Sequence, residues 1–213
     1  MSRISKQTEE LANDDGLGSA ATGERVPMAD ADVFLFRSFL DSDEADALFR
    51  RLRHEIAWKT ETIRLFGRQI AMPRLVAWYG DLAYTYSGLT MPAADWPPCL
   101  AGIKGTVSER AAQPFNGVLL NLYRDGRDSM SWHADDEAEL GREPVVASLS
   151  LGAARRFVFR RSDDKTKKVA VDLPGGSLLV MAGPTQHHWQ HAVPKTAKPV
   201  GERINLTFRT LLR

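Results

Sequence analysis

The ten residues "SWHADDEAEL", 131 to 140, set one histidine, His133, among four carboxylates: Asp135, Asp136, Glu137 and Glu139. In extended chain the side chains of His133 and Asp135 point the same way, about 6.5 to 7 Å apart along the backbone, near enough for both to lean onto one ion. The pair alone is a weak signal, because carboxylates are equally at home in a solvated loop. A source of a third ligand follows in "GPTQHHWQHAVP", which holds His187, His188 and His191. Two histidines and one carboxylate on one face of a metal leave open positions opposite, the arrangement by which non-haem Fe(II) enzymes activate dioxygen. Spacing does not choose among the three histidines, and a polar loop between strands would read the same.

The last strand-like run, "RINLTFRTLL", alternates Arg203, Asn205, Thr207 and Arg209 with Ile204, Leu206 and Phe208, so one face is polar and the other apolar. A half-buried strand with its polar face in water has this pattern. Downstream of a metal site, two arginines on one face can also clamp a small dicarboxylate, because guanidinium forks match carboxylates bidentately. For an iron oxygenase that dicarboxylate is 2-oxoglutarate. Upstream, Leu119, Asn121 and Tyr123 share one side of "GVLLNLY". Asn121 and Tyr123 supply donors suited to a carboxylate or keto oxygen.

The elements that must position these residues are mostly short strands. From Phe115 onward, runs at 115–123, 145–151, 156–161, 168–173, 176–181 and 203–211 are bounded by turn residues and too short for helices. They predict an antiparallel jelly-roll core, α+β in class but mainly β, with two helices packed outside. The first helix begins at "DSDEADALFRRLRHEIAW", where Asp41 and Glu44 form a capping-box pair and Ala45, Leu48, Leu52 and Ile56 make one stripe. The second lies near "PPCLAGIKGTVSERAA", with Leu100, Ile103 and Val107 on one side. Residues 1–30 are polar and without periodicity, which predicts a disordered tail before a single domain over 31–213.

With 213 residues and 43% apolar composition the chain can fill one sizeable core. It has no apolar run of about 18 residues, and its first residues lack the apolar stretch of a secretory signal. A soluble, cytoplasmic monomer that avoids membranes is expected, nucleoid-associated in a bacterium, and the lone Cys99 agrees with a reducing compartment. The net charge of +1 gives no long-range attraction to nucleic acid. A local surplus exists in "ARRFVFRRSDDKTKK", where seven basic residues oppose Asp163 and Asp164. It is expected either to meet phosphates or to be a solvated face.

Taken together, "NLYRDGRDSMSWHADDE", "ASLSLGAARRFVFR", "GSLLVMAGPTQHHWQHAVP" and "RINLTFR" resemble the AlkB family of Fe(II)- and 2-oxoglutarate-dependent dioxygenases, over roughly residues 60 to 213. The resemblance is to members that repair alkylated DNA. It implies a double-stranded β-helix over about 115–213, preceded by a nucleotide-recognition lid over about 60–92. It makes His133, Asp135 and His191 the iron ligands. Arg203 becomes the partner of the distal carboxylate of 2-oxoglutarate and Arg209 a partner nearer the metal, with Asn121, Tyr123, Asn205 and Thr207 in support.

The resemblance further implies that Tyr86 stacks on a flipped base, Tyr84 and Ser87 flank it, and Asp136 and Glu137 face its polar edge. Phe66 in "RLFG" is similar to the wedge of duplex-acting members, with Arg64, Arg68 and Arg74 toward phosphates. The implied reaction uses Fe(II), 2-oxoglutarate and O2 to demethylate N1-methyladenine or N3-methylcytosine in DNA, releasing succinate, CO2 and formaldehyde. RNA bases or protein side chains as targets, or a jelly-roll binding module without catalysis, are the alternatives.

Overall fold

Asp41 starts the first helix as the spacing predicts. Its carboxylate accepts from the Glu44 amide at 2.9 Å, and the Glu44 carboxylate accepts from the Asp41 amide at 3.2 Å, closing the capping box that begins α1, Ser42–Glu55. The computed structural model describes residues 23–65, 68–86 and 88–212. Its strands are β1 (Glu24–Arg25), β2 (Asp32–Phe36), β3 (Thr62–Leu65), β4 (Arg68–Ala71), β5 (Leu75–Gly80), β6 (Tyr84–Tyr86), β7 (Leu89–Met91), β8 (Gly117–Tyr123) and β9 (Met130–His133). After them come β10 (Val146–Gly152), β11 (Arg155–Arg161), β12 (Lys168–Leu173), β13 (Leu178–Ala182), β14 (Trp189–Val193) and β15 (Arg203–Arg209). The second helix, α2, is Pro98–Arg110, and a single helical turn, α3, is Thr185–His188.

Two antiparallel sheets face one another, as a jelly roll requires. One runs β1-β2-β13-β10-β15-β8-β5 and the other β12-β11-β14-β9. The outer face of the larger sheet carries Val118, Leu120 and Leu122 of β8, Ala147, Leu149 and Leu151 of β10, and Ile204, Leu206 and Phe208 of β15. On these pack Leu52 of α1 with Leu100 and Val107 of α2. Burying each such aliphatic or aromatic side chain stabilises the fold by about 1.5 to 3 kcal/mol. The period of two then forces the intervening residues inward, toward the smaller sheet. Every residue of β8 and of β15 is buried, so the polar face of β15 does not meet water. It lies inside the sandwich.

Three expectations need correction. Residues 23–30, assigned to a disordered tail, are structured: β1 pairs with β2, and the Ala29 carbonyl accepts from the Trp189 indole at 2.9 Å. Their apolar content is low, but Val26 is buried in the core between the sheets and Met28 packs against it. The segment 60–92 is not a separate lid throughout. β3 pairs with β4 and β6 with β7, while β5 between them is the edge strand of the larger sheet, paired with β8. Finally, β9 and β14, which carry the histidines, are strands where only turn and loop were read; neither has clean alternation, since in β14 four of five residues are buried. No helix among the described residues is long and apolar enough to cross a membrane.

Candidate active site

β14 lies between β11 and β9, with His191 directly opposite Phe159 on one side and His133 on the other. This register brings the two imidazoles together at 4.2 Å between ring centroids, and the Phe157 ring stacks on His191 at 5.2 Å. Asp135 follows just beyond the end of β9. One donor atom each from His133, Asp135 and His191 falls within 4.8 Å of the others, so the three can close on a single ion. Their strands explain the choice that spacing left open: His187 is exposed on α3 and His188 sits on the same turn, whereas His191 points between the sheets.

The donor set suits a divalent cation. Nδ1 of His133 is 2.8 Å from the Ser131 carbonyl, which can only accept, so Nδ1 carries the proton and Nε2 the lone pair. Burial and the neighbouring His133 push His191 down to about 3, and burial lowers His133 as well, so both rings are neutral ligands at neutral pH. Burial alone would raise the Asp135 carboxyl. The Arg209 guanidinium, charged and hydrogen-bonded to it, outweighs burial and holds the group well below the usual carboxylate range. Oδ1 of Asp135 is bonded to Arg209 Nη2 at 2.5 Å, while Oδ2 has no hydrogen-bond partner and lies 3.5 Å from His191 Nε2. A buried carboxylate oxygen left over beside two neutral imidazoles is what a metal would satisfy.

The inward face of β8, β15 and β10 supplies the second half of the site. Arg203 is 1% exposed; Nη2 donates to Ser150 Oγ at 2.9 Å, and its guanidinium lies over the Tyr123 ring at 5.1 Å. Nε and Nη1 have no partner, and no acid pairs with it among the described residues. Those two nitrogens are donors of the kind a carboxylate accepts from. Arg209 is committed to Asp135, with its guanidinium 5.3 Å above the Tyr84 ring, so it orients a ligand-bearing residue first. Asn205 donates to Ser148 Oγ at 2.8 Å and to the Leu149 carbonyl at 3.0 Å, and accepts from Thr207 Oγ1 at 3.0 Å, which makes both residues struts. Ser148 and Ser150 were not singled out in the sequence, although the alternation in "ASLSLG" places both on one face.

Residues assigned to the substrate divide. Arg74, expected at phosphates, is 3% exposed, and its Nε donates to Asn121 Oδ1 at 2.6 Å, orienting that amide. Tyr84, expected to flank the base, is wholly buried with its ring stacked on Trp78 at 4.8 Å. Nearby Glu137 is half-buried rather than open to a base edge. Asp136 is exposed, and Glu139 is half-buried on a short helical turn. Phe66, Ser87 and the side chains of Tyr86, Arg64 and Arg68 lie outside the described residues.

Of the seven basic residues after β10, Arg156, Arg161 and Lys167 meet an acid among the described residues. Arg155 is buried on the carbonyls of Asp125, Asp128 and Pro194, Arg156 pairs with Asp172, and Arg161 bridges Asp30 and Asp163. A cavity of about 260 Å³ on the outer edge of β5, lined by Lys59, Trp78 and Thr90 among others, contains none of the triad. The narrow cavity between the sheets is the one that gathers His133, Asp135, His191, Tyr123, Asn205 and Arg209.

These features match known proteins. The model of the 2OG-Fe(II) oxygenase superfamily fits residues 32–209. The chain is 45% identical over 188 residues to the alpha-ketoglutarate-dependent dioxygenase alkB homolog 3 of Bos taurus, covering 84% of this chain and 66% of that protein. It is 41% identical over 181 residues to the DNA oxidative demethylase ALKBH2 of Mus musculus, covering 79% and 76%. The chain thus spans about two thirds of the length of the alkB homolog 3 proteins it matches. The solved structure of OsALKBH1 shares the fold at a TM-score of 0.61 and 20% identity, over 84% of this chain and 97% of that one. The family model over residues 32–209 and relatives at 41 to 45% identity show that the chain belongs to the 2OG-Fe(II) oxygenase superfamily and, within it, to the AlkB family.

Proposed function

We propose that this protein is an oxidative demethylase of N-alkylated DNA bases such as N1-methyladenine and N3-methylcytosine. His133, Asp135 and His191 would hold Fe(II), and Arg203, backed by Ser150 and Tyr123, would take the distal carboxylate of 2-oxoglutarate. The observation that carries this reading is Arg203 itself: a guanidinium fully inside the sandwich, with two nitrogens unmatched and no acid beside it among the described residues. A buried charge of that kind is tolerated where a ligand of opposite charge completes it. Of the two curated relatives described above, one is named an alpha-ketoglutarate-dependent dioxygenase and the other a DNA oxidative demethylase.

When bound, iron with 2-oxoglutarate and O2 supplies the oxidant that puts one oxygen into an N-methyl C–H bond, with succinate and CO2 formed; the N-hydroxymethyl base then sheds formaldehyde. The chain's own groups do the rest. Arg209 and the β9–β14 register fix the direction of Asp135 and the histidines. Phe157, Met181 and Val193 line the cavity with apolar surface that keeps water from the reacting centre. The exposed carboxylate of Asp136, next to the metal ligands, favours a cationic methylated base over a neutral one.

The reading is tested by supplying the full chain with Fe(II) and 2-oxoglutarate and measuring formaldehyde from oligonucleotides that carry N1-methyladenine in single-stranded DNA, duplex DNA and RNA. Release from DNA is expected. Turnover of RNA with inert DNA would move the substrate class, and no release from any of the three would contradict the reading.

A further inference from the structure

Asp135 stands beyond the last paired residue of β9, in a stretch with neither helix nor strand. No sheet ladder therefore holds its backbone, yet it is completely buried. What holds it is Gln186 on α3. Its Oε1 accepts from the Asp135 amide at 3.0 Å, and its Nε2 lies 3.7 Å from the sulfur of Met181. Gln186 is 2% exposed and its amide thus bridges two residues that both line the cavity of the triad. The turn that carries it is itself pinned, since Thr185 Oγ1 donates to the Ala182 carbonyl at 2.5 Å and accepts from the Asp32 amide at 3.0 Å.

We propose that Gln186 is a positioning residue for the metal centre, a clamp that ties the Asp135 segment to the turn leading into β14 and so sets the distance between Asp135 and His191. This rests on the reading of the triad as a metal site. Arg209 fixes only Oδ1 of the carboxylate; a rotation about the Asp135 backbone would still swing Oδ2 away from the histidines. The bond from Gln186 removes that freedom, and it runs through the segment that precedes His191 rather than through the β9–β14 ladder. Two of the three ligands are then held in register by one side chain that touches no metal. Partners of this kind, one bond removed from the ligands, set metal affinity by about 10- to 100-fold when removed.

The test is titration of the metal-free full chain with Mn(II), read as a dissociation constant alongside the denaturation midpoint. Wild type is expected to bind one ion and Asp135→Ala none. Gln186→Met, which keeps the volume and removes the acceptor, is expected to weaken Mn(II) by about 10- to 100-fold. Gln186→Glu, which restores an acceptor for the amide, is expected to recover most of that loss. Gln186→Asn, one methylene shorter, makes the same comparison should the methionine form fail to fold. A lowered midpoint with unchanged Mn(II) affinity in Gln186→Met would show a merely structural glutamine and overturn the proposal, as would a Gln186→Glu form as weak as Gln186→Met. Wild type that bound no Mn(II) would instead sink the triad reading, and this inference with it.

Discussion

Two arginines on one strand face play opposite parts, and substitution separates them. Arg209 is paired with the buried Asp135, so Arg209→Leu strands that carboxylate and is expected to destabilise the metal-free protein by about 3 to 5 kcal/mol. Arg203 has no acid beside it among the described residues, so Arg203→Met removes an uncompensated charge, and denaturant titration is expected to show equal or greater stability. The same change is expected to weaken 2-oxoglutarate by about 2 to 5 kcal/mol, a Kd at least 30-fold higher by calorimetry. A destabilised Arg203→Met with full 2-oxoglutarate affinity would show that the fork is structural. Both arginines were legible in the strand's alternation, but their division of labour was not, because it depends on Asp135 folding back from another sheet. Spacing left His191 as one of three and the family resemblance picked it out; its place on β14, opposite His133, gives the physical reason. Gln186 gave no signal at all, since its partner is a backbone amide 51 residues away.

At the scale of elements, the turn between β8 and β9 decides where His133 lands. Asp128 accepts from the Arg124 amide at 2.9 Å and from its guanidinium at 2.7 and 2.8 Å, while Arg155 gathers the carbonyls of Asp125, Asp128 and Pro194. Burial alone would raise the Asp128 carboxyl, but Arg124 outweighs it and leaves it lowered. A lowered folded value means stability that is present above the unfolded carboxylate pKa of about 3.9 and lost as pH falls through the folded value. Asp128→Asn is therefore expected to cost about 1 to 2 kcal/mol at pH 7, a figure held down by the half-exposed Arg124, and to flatten the loss of stability below about pH 4. A variant with an unchanged acid limb in pH-dependent unfolding would contradict this. The helices and six of the sandwich strands were readable because alternation or capping marks them. β9 and β14 were not, since a strand buried on both faces, or ending at a site, loses its period of two.

For the whole molecule, a net charge of +1 and a basic segment in which Arg156, Arg161 and Lys167 already pair with acids limit the cations left for phosphates. DNA affinity is expected to fall only gently with salt, with a log–log slope of about −2 to −4, corresponding to roughly two to four phosphates neutralised. A slope near −8, measured by fluorescence anisotropy between low and moderate salt, would show a basic surface that the described residues do not contain.

The central test is formaldehyde release from N1-methyladenine in DNA, counted against 2-oxoglutarate consumed, for wild type and Asp135→Ala at saturating Fe(II). Wild type is expected to release one formaldehyde for each 2-oxoglutarate consumed with the methylated base, and Asp135→Ala to release none. Full release by Asp135→Ala would contradict the assignment of the centre to His133, Asp135 and His191.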